Sequence, residues 1–204
     1  MTRKLSVSLI VLCFVSCAGG KYNYLFDTGK QLDFSQGKWI LNRTESNSLI
    51  FDSELYKASF EGFKDIIGDS LFDLNSIRAH KMVPPKIAFE PSPEELKQIG
   101  QSTDCDYLIN IRGNIISNGA GILSYDSGNG YYSASNQSSI SIIIYELTNG
   151  TIISSSQALA KDTAENSHFD ENTNVPTFHS SAETMMVKAA KNLIKKYDSN
   201  RLDI

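Results

Sequence analysis

Cysteine is scarce in this 204-residue sequence, which contains only three, at positions 13, 17 and 105. The first two lie in the N-terminal segment, so Cys105 has no cysteine partner in the rest of the chain. A fold held together by several internal disulfide bonds is thereby excluded. Asp104 and Asp106 flank Cys105, and neighbouring carboxylates disfavour the thiolate that a reactive cysteine needs. We expect Cys105 to have a structural role.

The chain also lacks an excess of basic residues over acidic ones. The formal net charge is -4, and without Arg3 and Lys4 the chain has 17 basic against 23 acidic residues, a net charge of -6. Nucleic-acid phosphates are bound by clustered basic surfaces, so this mild acidity argues against nucleic acid as a partner. With 41% hydrophobic and 21% charged residues, the chain has the composition of one globular domain with a core.

The chain lacks the short motifs that identify many hydrolases and nucleotide-binding enzymes. It contains no Gly-x-Ser-x-Gly elbow, no His-Glu-x-x-His and no glycine-rich phosphate loop. His168, Asp170, Glu171 and His179 in a polar connector have the right chemistry for zinc. However, no strand or helix spacing brings these four side chains together. We therefore expect no metal site, no cofactor and no catalysis.

The apolar run at residues 5–15 is too short to cross a bilayer, which takes roughly 20 apolar residues. It follows Arg3 and Lys4 and has the length of a signal-peptide core. Residues 14–20, FVSCAGG, resemble the lipobox of bacterial lipoproteins, with Phe14 in place of the usual leucine. We expect residues 1–16 to be removed and Cys17 to be lipidated. The alternative is an ordinary secretory signal that is cleaved nearby.

A lipidated cysteine would determine how the protein meets the membrane. Two or more acyl chains hold a protein stably at a bilayer, so the domain would be anchored without spanning it. Residues 17–37 have no clear hydrophobic period and are expected to form a flexible tether. Fully extended, this tether would reach about 65–70 Å.

Residues 38–204 are expected to form a single α+β domain. Three strands are predicted between residues 106 and 162, and Asn149-Gly150 predicts a hairpin turn between the second and the third. Apolar spacing and capping residues predict helices at 52–70, 92–102 and 180–197, with capping boxes at Ser92 and Ser180. A strand at 38–42 and a further one at 77–83 complete an antiparallel or mixed sheet of about four to five strands, covered by three helices on one face.

Residues 117–139 form a Gly/Ser/Tyr-rich excursion between two of the predicted strands, with Tyr125, Tyr131 and Tyr132 near its centre. Such a composition is typical of a long hairpin extension without fixed structure. It is also the chemistry of adaptable recognition loops, in which tyrosines supply the contact area. Both interpretations stay open, and the three tyrosines are candidate partner-binding residues.

Two stretches carry a resemblance to known domains. Residues 91–108 combine a capped helix with the sequence TDCDYL, and residues 145–153 end an apolar strand in YELTNGTII. With the order of the predicted elements, this pattern resembles the domain shared by the curli-secretion lipoproteins, the lipoprotein activators of penicillin-binding proteins and the N-terminal domain of the Tol translocation protein. The resemblance covers residues 38–197 and implies a periplasmic domain that binds envelope proteins without catalysis.

The sequence thus predicts a non-catalytic protein-binding module of the bacterial cell envelope, held at the outer membrane through lipid on Cys17 and facing the periplasm. Its partner would be an envelope protein or further copies of the chain. One alternative is a subunit of an outer-membrane secretion or assembly complex. Residues 117–139 lack the alternating apolar face of a lipid-facing strand, which ranks this alternative lower. An alternative from another class is a periplasmic hydrolase or small-ligand-binding protein.

Overall fold

The computed structural model describes residues 20–84, 87–119, 131–167 and 180–202, with the backbone alone for residues 131–134 and 164–167. This part of the chain forms a mixed α+β fold with seven strands and four α-helices. The strands are β1 (Lys21–Thr28), β2 (Trp39–Leu41), β3 (Glu45–Ser46), β4 (Leu71–Asp73), β5 (Tyr107–Asn118), β6 (Tyr131–Glu146) and β7 (Thr151–Ser167). The helices are α1 (Leu49–Ile67), α2 (Leu74–Arg78), α3 (Pro93–Thr103) and α4 (Ala182–Asn200).

The strands form one sheet in the order β1-β7-β6-β5-β2-β4, and β3 pairs with β5 beyond the end of β2. The β1, β7, β6 and β5 neighbours are antiparallel, whereas β2 runs parallel to both β4 and β5. The predicted α+β class and the three-strand meander are confirmed, and Gly150 has the positive φ of 72° that its turn requires. The predicted strand count was too low because β1, β3 and β4 were missed.

The expected tether is wrong for Lys21–Thr28, which forms β1 at the edge of the sheet. Tyr22, Tyr24 and Phe26 are half-buried and pack against the core, while the residues between them face outward. This is the period-two alternation of a strand with one covered face. The tether was predicted because the exposed, apolar Leu25 interrupts the alternation of apolar and polar residues in this short strand.

The described part of the chain begins close in sequence to the predicted anchor at Cys17. Gly20 lies against Met185 of α4 and against the backbone of Lys161 in β7. It is the third residue after Cys17. The strand that follows it is fixed to β7 along its length, with one bulge near its end.

Helices cover both faces of the sheet, which corrects the prediction of one covered face. Helices α1 and α4 pack on the first face, and α2 and α3 pack on the second. Successive strand residues point to opposite faces, so β2 contributes Trp39 and Leu41 to the first core and Ile40 to the second. The central strands are therefore apolar on both sides, which is typical of the parallel part of a sheet.

The predicted strand at residues 77–83 is wrong, because α2 occupies Leu74–Arg78. Asp73 accepts a hydrogen bond from the backbone N–H of Ser76 and so caps this short helix. The capping box of Ser92 and Glu95 is confirmed at the start of α3. The last helix is capped by Ser181, one residue later than predicted, through a hydrogen bond from the N–H of Thr184.

A buried hydrogen-bond network joins α4 to β7 and provides a stability test. The Tyr197 hydroxyl lies 2.8 Å from the Oγ atoms of both Ser154 and Ser156. We expect Tyr197→Phe to lower the free energy of unfolding by about 1–3 kcal/mol, because buried serine hydroxyls lose a partner. Urea denaturation followed by circular dichroism measures this change.

Tyr107→Phe is the matched control, since the Tyr107 hydroxyl makes no hydrogen bond within the described ranges while its ring stacks on Trp39. We expect this control to lie close to the unsubstituted protein. Equal free energies of unfolding for Tyr197→Phe and Tyr107→Phe would show that the hydrogen bonds of Tyr197 do not stabilise the fold.

Candidate functional site

A polar cleft of about 840 Å³ opens at the carboxyl ends of the parallel strands β2 and β4. Its walls come from the segment after β2, the first two turns of α1, and α2. The lining residues are Asn42, Arg43, Thr44, Glu45, Ser46, Leu49, Asp52, Ser53, Tyr56, Asn75, Arg78 and Ile87. Ligands of open α/β sheets bind in the crevice outside the carboxyl ends of the strands. This cleft is therefore the candidate site.

Side-chain hydrogen bonds to the backbone shape the loop that follows β2. The Asn42 side chain is buried, accepts from the N–H of Arg43 at 2.8 Å and donates to the carbonyl of Ile87 at 3.2 Å. Thr44 donates through Oγ1 to the carbonyl of Asp52 at 3.1 Å, which ties the loop to α1. The loop that carries Arg43 is thus fixed at both of its ends.

Tyr56, in the cleft wall, forms a hydroxyl–carboxylate pair with Asp73. The Tyr56 hydroxyl donates to Asp73 Oδ1, and the other carboxylate oxygen caps α2. Burial, and then the hydrogen bond to Asp73, raise the pKa of Tyr56 well above its usual value. Tyr56 is therefore protonated near pH 7, and its hydroxyl positions the Asp73 carboxylate through this hydrogen bond.

The cleft presents polar groups of both signs. Arg43 is exposed, and Arg78 donates to the carbonyl of Pro84 at 2.6 Å. Asp52 Oδ1 is buried and accepts no hydrogen bond from any described residue. Glu45 brings a second carboxylate, 3.3 Å from the guanidinium of a β5 arginine. A polypeptide, which both donates and accepts hydrogen bonds, matches this mixture better than a polyanion, which the two carboxylates would repel.

Residues 87–89 form an extended strap over the second face of the sheet, beside the cleft. Asn110 donates through Nδ2 to two strap carbonyls, at 2.8 and 3.0 Å. The Tyr145 hydroxyl donates to the carbonyl of Phe89 at 3.0 Å. Burial raises the pKa of Tyr145 to about 12, so this donor keeps its proton at neutral pH. The strap in turn fixes Ile87 in the cleft wall.

The residues described as lining this cleft include none of the predicted site residues. Cys17 and Tyr125 lie outside the described residues. The backbones of Tyr131 and Tyr132 are in β6, where they pair with the end of β7. Residues 117–118 belong to β5 and residues 131–139 to β6, while residues 120–130 lie outside the described residues. A binding role for the three tyrosines stays a prediction.

Sequence reasoning missed the cleft because its residues are far apart in the chain. The capping aspartate before α2 and the polar run after β2 were visible signals, but only the parallel pairing of β2 with β4 brings them together. Strand β6 also begins several residues earlier than predicted. Asparagine is depleted in strands, and pairing with β7 overrides this propensity.

Cys105 is free and buried, and burial raises the pKa of its thiol. The predicted direction is correct, but desolvation rather than the neighbouring carboxylates is the main cause. The suggested zinc ligands His168, Asp170, Glu171 and His179 lie outside the described residues. Across the ranges that are described, no three His, Cys, Asp or Glu residues form a group that could hold a metal, and no helix has the length and apolarity to cross a membrane.

No family model and no curated protein matches the sequence. Among solved structures, the PelC dodecamer from Paraburkholderia phytofirmans is similar over 87% of this chain and 98% of that chain, with 9% identity and a TM-score of 0.48. The hypothetical protein CT253 from Chlamydia trachomatis is similar over 81% of this chain and 97% of that chain, with 12% identity and a TM-score of 0.39. Lipoprotein GNA1162 from Neisseria meningitidis is similar over 68% of this chain and 87% of that chain, with 9% identity and a TM-score of 0.35. These scores do not assign a shared fold, and the resemblance drawn from the sequence stays a prediction.

The state of Tyr56 can be tested by titration. A raised pKa stabilises the folded state below the ordinary pKa of 10.0, and this contribution is lost as the pH rises through the higher folded value. We expect the phenolate absorbance of the protein and of Tyr56→Phe to coincide around pH 10, with N-acetyltyrosinamide as the free reference. A variant whose phenolate absorbance at pH 10 is lower by about half an equivalent would show that Tyr56 ionises normally, with a pKa near 10.0.

Proposed function

We propose that this protein is a lipoprotein of the bacterial cell envelope, anchored through acyl chains on Cys17, whose domain binds another protein without catalysing a reaction. The partner is an envelope protein or a further copy of the chain. The positive n-region, the apolar core and the lipobox-like residues 14–20 support the anchor. We further propose that the protein lies at the outer membrane and faces the periplasm. The observation that carries the binding role is the open, polar cleft at the ends of β2 and β4.

A polypeptide segment fits the contents of this cleft. Peptide N–H groups suit the buried Asp52 Oδ1, and carbonyl or carboxylate groups suit the exposed Arg43. Leu49, which is 87% exposed at the cleft, offers an apolar contact that a polypeptide side chain can cover. Tyr56 is kept in its neutral form, which favours a binding role over a nucleophilic one.

The volume of the cleft supports a second candidate. Sites for small molecules typically measure about 300–1,000 Å³, and a cleft of about 840 Å³ lies within this range. A small ligand of mixed polarity is therefore the alternative occupant. Its recognition would use the same Arg43 and Asp52 groups.

Photo-cross-linking in intact cells tests the polypeptide partner. We place a photoactivatable amino acid at Arg43, in the cleft, and at Lys97, an exposed position on α3 outside it. We expect light-dependent adducts of one dominant envelope protein, or of a second copy, at Arg43 and not at Lys97. The same adduct pattern at both positions, or none at Arg43, would contradict a polypeptide in the cleft.

Removing the lipid attachment point tests the anchor. Serine cannot form the thioether, so we expect Cys17→Ser to leave the membrane fraction, because stable anchoring requires two or more acyl chains. Mass spectrometry of the unsubstituted protein should find an acylated N-terminal Cys17. A Cys17→Ser protein that stays fully membrane-bound would show that something else holds it there.

A further inference from the structure

The folded domain begins very close to the proposed anchor. Gly20 lies against Met185 and the backbone of Lys161, and three Cα–Cα steps separate it from Cys17. We call residues 17–20 the leash. Consecutive Cα atoms are 3.8 Å apart, so the leash spans at most about 11 Å. Acyl chains on Cys17 would therefore hold this end of the sheet at the bilayer surface, where the expected tether would have left it free.

Strands β6 and β7 extend beyond the start of β1, at the same end of the sheet as Gly20. Lys21, the first residue of β1, lies opposite Lys161, and β7 runs on to Ser167. Beyond Lys161 its register with β6 holds for six further pairs, from Asn136 opposite Asp162 to Tyr131 opposite Ser167. We call residues 131–136 and 162–167 the ladder end. At 3.4 Å per residue it extends about 20 Å, which exceeds the reach of the leash.

The reach of the leash and the length of the ladder end together restrict how the sheet can lie at the bilayer. Gly20 lies one residue past Lys21, so about 17 Å of the ladder end lies beyond it. If the strands stood upright on the membrane, the ladder end would pass the Cys17 Cα by about 6 Å and meet the headgroups. If the strands are inclined, the ladder end lies closer to the plane of the surface. Both arrangements place it at or next to the bilayer surface.

The composition of the ladder end favours the headgroup region over the hydrocarbon core. Its sequences, YYSASN and DTAENS, are polar apart from two alanines and the terminal tyrosine pair. Polar groups are costly to bury in hydrocarbon, whereas headgroups and water can satisfy them. Tyrosine is enriched at this interface.

We propose that the ladder end lies in the headgroup region of the bilayer that holds the Cys17 acyl chains, as a second, non-covalent membrane contact. This inference rests on the lipidation proposed above. It fixes the orientation of the sheet, because one end of β6 and β7 is in the membrane interface and the end near Gly150 points away. The carboxyl ends of β2 and β4 point in the same direction as the ladder end, so the cleft opens on the membrane side and its partner would be a membrane-associated protein.

Two threonines at opposite ends of β7 provide a matched pair of probes. Thr163 lies in the ladder end, Thr151 begins the strand about 40 Å away, and both are exposed. Each is changed to cysteine in full-length lipidated protein carrying Cys105→Ala, and each is labelled with an environment-sensitive fluorophore. The proteins are reconstituted into phosphatidylethanolamine–phosphatidylglycerol vesicles that contain lipids with a nitroxide either near the headgroup or deep in the acyl chain.

We expect the label at Thr163 to be quenched several times more strongly than the label at Thr151, and more by the shallow nitroxide than by the deep one. Equal quenching at the two positions, in protein that floats with the vesicles, would overturn the membrane contact and leave the anchor intact. Stronger quenching by the deep nitroxide would overturn the headgroup placement. Protein that does not float with the vesicles would overturn the anchor itself and the contact with it.

Discussion

Between Lys21 and Thr28 the chain adds a strand to the edge of β7, and its aromatic side chains pack on the core beside α4. Lys188 and Lys196 of α4 lie over the rings of Tyr22 and Tyr24, at 5.6 and 4.6 Å from the ring centroids. This pairing removes most of the freedom expected between the proposed anchor at Cys17 and the domain. The proposed orientation of the sheet and the proposed placement of the ladder end depend on it.

The centre of the sheet imposes a second constraint. Trp39, Ile40 and Leu41 are fully buried, and α1 and α4 lie on one side of them with α2 and α3 on the other. Polar groups are therefore displaced to the ends of β2 and β4, where Asn42, the Tyr56–Asp73 pair and the arginines gather. Strand β2 is too apolar to include any of these polar groups, and they therefore line the cleft at its end.

An apolar run that indicates a central strand, followed by an Asn-Gly turn, was enough to predict the meander of β5, β6 and β7. The residues of that run are Ile140, Ile142, Ile143, Ile144 and Tyr145. The capping box at Ser92 predicted α3 in the same way, because both signals are local. Strand β1 escaped prediction because its apolar face is only three residues long. The cleft could not be predicted at all, since it depends on the parallel pairing of two three-residue strands that a 19-residue helix separates.

Hydrogen–deuterium exchange of β1 tests the central claim most directly, because a strand and a tether differ in their amide protection. In an antiparallel edge strand, alternate N–H groups are bonded to the neighbour and the others face solvent. We predict that about half of the amides in a peptide covering Lys21–Thr28 exchange slowly in the lipidated protein, at rates comparable to those of β7. Complete exchange within seconds would show that this segment is a tether after all. The domain would then be free to move away from the membrane, and the proposed orientation of the sheet at the bilayer would be wrong.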